Sequence, residues 1–444
     1  MLAFSRFEAI EQALRELPIE ARYGRVVAVR GELIEVEGLA GAARIGSRLT
    51  IDTSGDDVQA EVIGFDHRVA LCLPFRHVGG IAAGSAVTLG SSGAKLRPGA
   101  GWLGRVVDGL GRPIDGKGPL PAGMRSRDVC GTAIPAIHRG TVGERMSTGV
   151  AALDMFAPLC RGQRLGLFAG SGVGKSVLMS MLARGADSDV SVIGLIGERG
   201  REVREFIEHD LGEDGLAQSV VVVATSDEPA LMRRQAARTT LAVAEHFRDE
   251  GQDVLCLMDS VTRFAMAQRE IGLAVGEPPA TKGYTPSVFA ELPRLLERAG
   301  PGYPGGGTIS GLFTVLVDGG DHDEPIADAV RGILDGHVVM SRKIAERGRY
   351  PAVDLLKSVS RTLPRALPAE MNSLRMQSVD LLSVYQDMEE MIRMGAYKAG
   401  SSDLVDAAVQ RAPLIEGLVS QGPHDRRDFA DSFAGLAQIL GGGE

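Results

Sequence analysis

The sequence is poor in most features that would point to a partner. Aromatic residues make up 5% of the chain, with a single tryptophan, Trp102, and there is no basic excess, the formal net charge being −9. Proteins that stack nucleic-acid bases need exposed aromatic and cationic positions, so composition argues against nucleic acid as a ligand. There are four cysteines, Cys72, Cys130, Cys160 and Cys256, far apart and without a CxxC pair. That excludes a disulfide framework or a structural zinc site and suits a reducing compartment. Cys256, inside VLCLMD, reads as a small buried hydrophobe. No apolar run reaches eighteen residues, so no membrane span is expected. The acidic residues of MLAFSRFEAIEQALRELP do not suit a secretory signal, and a cytoplasmic location is expected.

What is present is a 444-residue chain with 44% hydrophobic content, enough for two or three domains. In residues 1–20, Phe7, Ile10, Leu14 and Leu17 recur at three- and four-residue spacing until Pro18, which predicts an amphipathic helix in search of a surface. Residues 21–96 switch to a period of two, with RVVAVRGELIEVEG turning at Arg30-Gly31, and predict a small β-barrel. GWLGRVVDGLGRPIDGKGPLP is dense in glycine and proline and reads as a linker or ordered loop. Residues 97–365 carry the runs RLGLFAG, SVIGLIG, SVVVVAT, DVLCLMD and SGLFTVLVD between helical patterns, an α/β arrangement with a parallel sheet. Residues 366–444 show only helical patterns, including the long SLRMQSVDLLSVYQDMEEMIRM.

One stretch carries chemistry by itself: LGLFAGSGVGKS, Leu165–Ser176. An apolar run, a loop of small residues and Gly-Lys-Ser before a helical pattern form a phosphate loop. Gly170, Ser171, Gly172, Val173, Gly174, Lys175, Ser176 and Val177 would cradle the phosphates of ATP, with Lys175 reaching the β- and γ-phosphates and the Ser176 hydroxyl on Mg²⁺. Ala169 stands where the first glycine of the motif usually is. VLCLMDS delivers Asp259 at a strand end, the carboxylate such a loop needs to hold magnesium. SVIGLIGERGREVREF ends another apolar run at Glu198, placed to orient and polarise the attacking water, with Arg199 beside it to balance phosphate charge. Arg201 and Arg204 read as a solvated helix start.

These residues in this order resemble the catalytic chains of the rotary ATPase superfamily. GRVVDGLGRPIDG, TGVAALD, AGSGVGKS, GERGREVREF and YPAVD are shared signatures, and LMDSVTRFAMAQREIGLAVGEPPATKGYTPSVFAELPRLLERAG is most similar to the type III protein export ATPases, flagellar above all, with virulence injectisomes the alternative. The resemblance implies a RecA-like P-loop core with an N-terminal β-barrel and a C-terminal helical domain, six copies in a ring, and Mg-dependent ATP hydrolysis that drives chaperone release, unfolding and export. It further implies that Arg263 lies near the γ-phosphate, that Tyr350 stacks on adenine, and that Arg361 is an arginine finger for the neighbouring subunit. The C-terminal adenine contact, aromatic in F-type chains, falls here on LVSQGPH and is unassigned. Implied partners are a dimeric stator-like regulator on the N-terminal helix, an export gate, a central stalk protein, and export substrates with their chaperones. These partners would bring the protein to the inner face of the cytoplasmic membrane. Two other readings compete. A non-catalytic rotary subunit would lack the catalytic glutamate, whereas Glu198 is present. An RNA translocase would need basic and aromatic barrel positions, and the barrel segment offers only Tyr23, Phe65 and Phe75.

Overall fold

The structure, a computed structural model, describes residues 22–317 and 324–441. The expected N-terminal helix lies outside the described residues.

Six strands open the described chain: β1 (Arg22–Arg30), β2 (Leu33–Glu37), β3 (Ser47–Ile51), β4 (Val58–Asp66), β5 (Val69–Pro74) and β6 (Ala86–Ser92). They close into a barrel in the order β1-β2-β5-β4-β3-β6. Alternate residues point inward, so Val26, Ile34, Val36, Leu49, Ile51, Val58 and Val62 fill the interior. The tight turn between β1 and β2 is made at Gly31, whose φ is +62°.

The central sheet is built from β7 (Arg105–Asp108), β8 (Arg164–Ala169), β9 (Val190–Glu198), β10 (Ser219–Thr225), β11 (Asp253–Asp259), β12 (Thr308–Leu316), β13 (Gly336–Met340) and β14 (Val359–Ser360), in the order β14-β13-β8-β12-β11-β9-β10-β7. All pairs along this path are parallel except β13 with β14. The strands are apolar on both faces because each face carries its own packed layer. Cys256 is among the fully buried strand residues, and burial pushes its thiol up to about 12.

The edge strand β7 corrects the sequence reading. Its four residues lie in the glycine- and proline-dense stretch read as a linker or ordered loop, yet they pair with Val220–Val223 of β10. The surrounding loop is tied by carboxylates. Asp115 accepts from Arg105 Nε at 2.7 Å, Arg105 Nη2 at 2.9 Å and the Val106 amide at 3.0 Å, and the Arg105 contact holds the Asp115 carboxyl well below the usual carboxylate range. Asp108 likewise takes the amides of Leu110 and Arg112.

One face of the sheet is covered by α2 (Ala230–Asp249) and α3 (Val261–Ala274), with barrel residues Leu73 and Phe75 joining the same core. Buried charges cross the barrel seam: Arg234 of α2 donates to Glu61 of β4 at 2.5 Å, and Arg48 of β3 lies 3.5 Å from the other Glu61 oxygen and over the Phe75 ring. The opposite face carries α1 (Lys175–Gly185) and the C-terminal helices α5 (Ala369–Arg393), α6 (Asp403–Leu418) and α7 (Phe429–Gly441). Among the described residues no helix is long and apolar enough to cross a membrane.

Candidate active site

The site sits at the carboxyl ends of the parallel strands, where such sheets place their ligands. β8 ends at Ala169 and the chain turns through Gly170–Gly174 into α1. Gly172 and Gly174 have φ of +75° and +87°, which only glycine adopts without strain. Ala169 causes no difficulty. It is still strand, paired with Leu316 and Met340, and its methyl group is buried in the core. Val173 is also buried and anchors the loop, while Ser171 and Gly172 are exposed just before the α1 N-terminus. Backbone amides at a helix N-terminus and the helix dipole make that space favourable for phosphate.

Two neighbouring strands bring acids to the loop. Leu195 of β9 is in register with Asp259 of β11, and Glu198 follows three residues further along β9, so adjacent strand ends deliver both acids to the loop. A bulge between Ile196 and Glu198 rotates the end of β9, with Gly197 at φ +71°. A methyl group on Gly197 would stand 2.9 Å from Arg263 Cβ, so the glycine also admits the first turn of α3. Lys175 Nζ bridges the acids, 2.5 Å from Asp259 Oδ1 and 3.3 Å from Glu198 Oε1. Asp259 is 3% exposed and accepts a second bond from Thr314 Oγ1 at 2.7 Å. Burial opposes the Lys175 charge, but Asp259 and Glu198 outweigh it and hold its pKa above the ordinary value.

Arg263 follows on α3, capped by Ser260, which accepts the Arg263 amide at 3.2 Å. Its Nε is buried and has no hydrogen-bond partner among the described residues, as for a cation awaiting an anion. The Tyr350 ring is 44% exposed and lies 3.5 Å from where a Gly174 methyl would be, standing beside the phosphate loop.

Two predicted residues are not drawn into this cluster. Arg199 turns to solvent, its side chain 80% exposed and paired with Glu202. Arg361 lies at the opposite end of the strands, just past edge strand β14: its amide bonds to the Asp335 carbonyl, just before β13, whereas the phosphate loop starts level with Met340 at the far end of β13. Five residue steps separate Asp335 from Met340, about 16 Å, more than an arginine side chain spans. Arg201 and Arg204 are exposed and paired with Glu205 and Glu208 along their helix.

The structure adds residues that sequence reasoning missed. Thr314 supports Asp259. Arg342, opening the short helix α4 (Arg342–Glu346, preceding α5 in the chain), donates to the Ser171 carbonyl at 3.0 Å. Only its closeness to RYPAVD could have drawn attention to it. LVSQGPH is also placed: Gln421 bonds Gly149, Ala151 and the Tyr350 carbonyl.

Among the described residues no group of three or more His, Cys, Asp or Glu side chains could hold a metal. A buried carboxylate, Asp259, and a half-buried hydroxyl, Ser176, next in chain to the lysine that touches that carboxylate, are hard oxygen donors too few to cage an ion. That set suits magnesium, which keeps waters and completes its shell with phosphate oxygens.

Just beyond the site, Glu228 has a buried Oε2 without a hydrogen-bond partner among the described residues. Burial, then the charges of Asp108 and Asp227, push its carboxyl up to about 7. A raised carboxyl favours the folded state while protonated, and that contribution is lost as pH rises through the folded value. Glu228→Gln is therefore expected to raise Tm at pH 8 and change it little at pH 5. Equal shifts at both values would contradict this.

Comparison with known proteins agrees with the geometry. Residues 149–360 match the ATP synthase alpha/beta family, nucleotide-binding domain, and residues 368–438 match the T3SS EscN ATPase C-terminal domain. Flagellum-specific ATP synthases are similar along nearly their full length: that of Caulobacter vibrioides is 57% identical, over 94% of this chain and 96% of its own, and that of Salmonella typhimurium is 45% identical, over 99% and 98%. Among solved structures, the assembled ATPase EscN of the enteropathogenic E. coli type III secretion system superposes with a TM-score of 0.87 at 38% identity, covering 94% of this chain and 100% of that one. EscN in complex with its central stalk EscO gives 0.86 at 39%, with the same coverage. With an N-terminal barrel, a P-loop sheet and C-terminal helices in common with these proteins, the chain belongs to the flagellum-specific ATP synthases of the ATP synthase alpha/beta family and is an ATP-hydrolysing enzyme of the type III export kind.

Proposed function

We propose that this ATPase hydrolyses Mg²⁺–ATP at sites shared between neighbouring copies of a homohexameric ring, in the service of flagellar protein export. The observation that carries the reading is Lys175 held between Asp259 and Glu198 at the mouth of the phosphate loop. Loop amides and Lys175 would bind the β- and γ-phosphates, and Arg263 would turn its unpaired nitrogen to the γ-phosphate. Bound Mg²⁺, held by Ser176 and through Asp259, would neutralise charge on the phosphate oxygens. Glu198 would orient the attacking water and take its proton. Tyr350 would carry the adenine on its exposed ring face. Arg361, remote from its own loop, would serve the neighbour's site.

The flagellar reading is favoured over an injectisome by identity: the flagellum-specific relatives match at 42–57%, EscN at 38–39%. EscN's complex with a stalk supports a central stalk partner here. The remaining partners follow from the family resemblance: a stator-like regulator on residues 1–20, an export gate at the inner membrane face, and substrates with their chaperones. Two measurements test the proposal. Phosphate release from ATP should stop when EDTA removes magnesium. The gene should restore swimming to a strain lacking its flagellar export ATPase, and effector secretion without motility would favour the injectisome. Removing residues 1–20 should leave ATPase activity intact and abolish capture of the regulator. Undiminished capture would place that contact elsewhere.

A further inference from the structure

The reading of Tyr350 as the base platform leaves open what holds the platform. Two ties reach it from the C-terminal helices. The Tyr350 carbonyl accepts the Gln421 amide at 2.7 Å. Arg349, buried beside it, donates from Nε to Glu416 of α6 at 2.7 Å and from Nη1 to the Pro351 carbonyl at 2.8 Å. Gln421 is itself pinned: its Oε1 accepts the Ala151 amide at 2.7 Å, and its Nε2 donates to the Gly149 carbonyl at 3.0 Å. The residues flanking the Tyr350 ring are thus tied to α6 and the turn after it, while the ring itself is 44% exposed and stands beside the loop at Gly174.

We infer that Glu416 and Gln421 are positioning residues for the nucleotide base, acting through Arg349 and Tyr350, so that the seating of the C-terminal helices sets how tightly the base is held. This rests on Tyr350 meeting the base. A shift of α6 would move Arg349 and the Tyr350 backbone together, because the guanidinium is clamped between Glu416 and the chain. The phosphate loop would follow little, since Val173 and the strand β8 anchor it and its tie to this segment, Arg342 on the Ser171 carbonyl, lies outside the clamp on Arg349.

Glu416 decides the test, being 40% exposed at its side chain and so replaceable without opening the core. Glu416→Ala is expected to raise KM for ATP by roughly three- to tenfold, the worth of one lost hydrogen-bonded tie whose charge is screened by solvent, with kcat within about twofold. Glu416→Gln, which keeps an acceptor for Arg349, should recover part of the loss. Inorganic tripolyphosphate, which has no base, should inhibit wild type and Glu416→Ala with the same inhibition constant. Adding Glu416→Ala to Tyr350→Ala should bring no further rise, as for residues acting through one another. The inference is overturned if Glu416→Ala leaves KM unchanged, weakens tripolyphosphate equally, or adds fully to Tyr350→Ala. If Tyr350→Ala itself leaves KM unchanged, the base reading fails and this inference with it, a result separable from the others because Glu416 is then irrelevant to it.

Discussion

Glu198→Gln is expected to bind ATP as wild type does and to hydrolyse it about 10²–10³-fold more slowly, the usual cost of one transition-state contact. The amide is the same size as the carboxylate and can still face Lys175 Nζ, 3.3 Å away. It cannot accept the proton of the attacking water, so binding and turnover separate. Lys175→Ala should do something different. It removes the phosphate contact and strips buried Asp259 of its countercharge, leaving only the Thr314 hydroxyl. Nucleotide binding and hydrolysis should both fail. Phosphate release and equilibrium binding of ATP, measured on the two variants, give the distinction. Wild-type turnover in Glu198→Gln would remove that residue from the chemistry.

The second large effect concerns Arg361. Arg361 lies at the opposite strand end from its own phosphate loop, so if it serves the neighbour's site as proposed, an isolated chain would have an incomplete one. Specific activity should rise with protein concentration as interfaces form. An arginine finger contributes about 10³–10⁵ in rate, so Arg361→Ala should flatten that rise while nucleotide binding persists. Mixing Arg361→Ala chains with Glu198→Gln chains should restore activity, since some interfaces then join an intact glutamate to an intact arginine. Constant activity per chain across assembly, or no recovery in rings shown to be mixed, would rule out the shared site.

Much of this was legible in the chain because the signals are local. The two-residue period of RVVAVRGELIEVEG names barrel strands, and LGLFAGSGVGKS encodes a strand, its turn and the following helix in twelve consecutive residues. Asp259 and Glu198 were readable because each closes an apolar run. SLRMQSVDLLSVYQDMEEMIRM falls inside α5 as expected, save its last residue, Met394, which caps the helix. The strand RVVD was hidden, since four residues among glycines and prolines carry no period, and only pairing with β10 makes them a strand. Thr314, Arg342, Glu416 and Gln421 were silent for another reason. Each acts on a residue distant in sequence, and a hydroxyl, guanidinium, carboxylate or amide has no local pattern that names its partner. Tyr350 and Arg361 were singled out only through family resemblance, because a lone aromatic and a lone surface charge are ordinary.

The charged seam between barrel and nucleotide core has a mechanical side. Glu61 stands between Arg48 of its own barrel and Arg234 of α2, with Glu61 and Arg234 buried, Arg48 partly so, and Leu73 and Phe75 as apolar neighbours. An oily seam tolerates sliding, because one apolar contact replaces another at little cost. This one does not: a swivel of even one residue would part Arg234 from its carboxylate inside an apolar joint, a loss of about 3–5 kcal/mol if it resembles other broken buried pairs. The seam therefore behaves as a keyed coupling, stiff in torsion. Any twist imposed on the nucleotide core would be passed whole to the barrel above it.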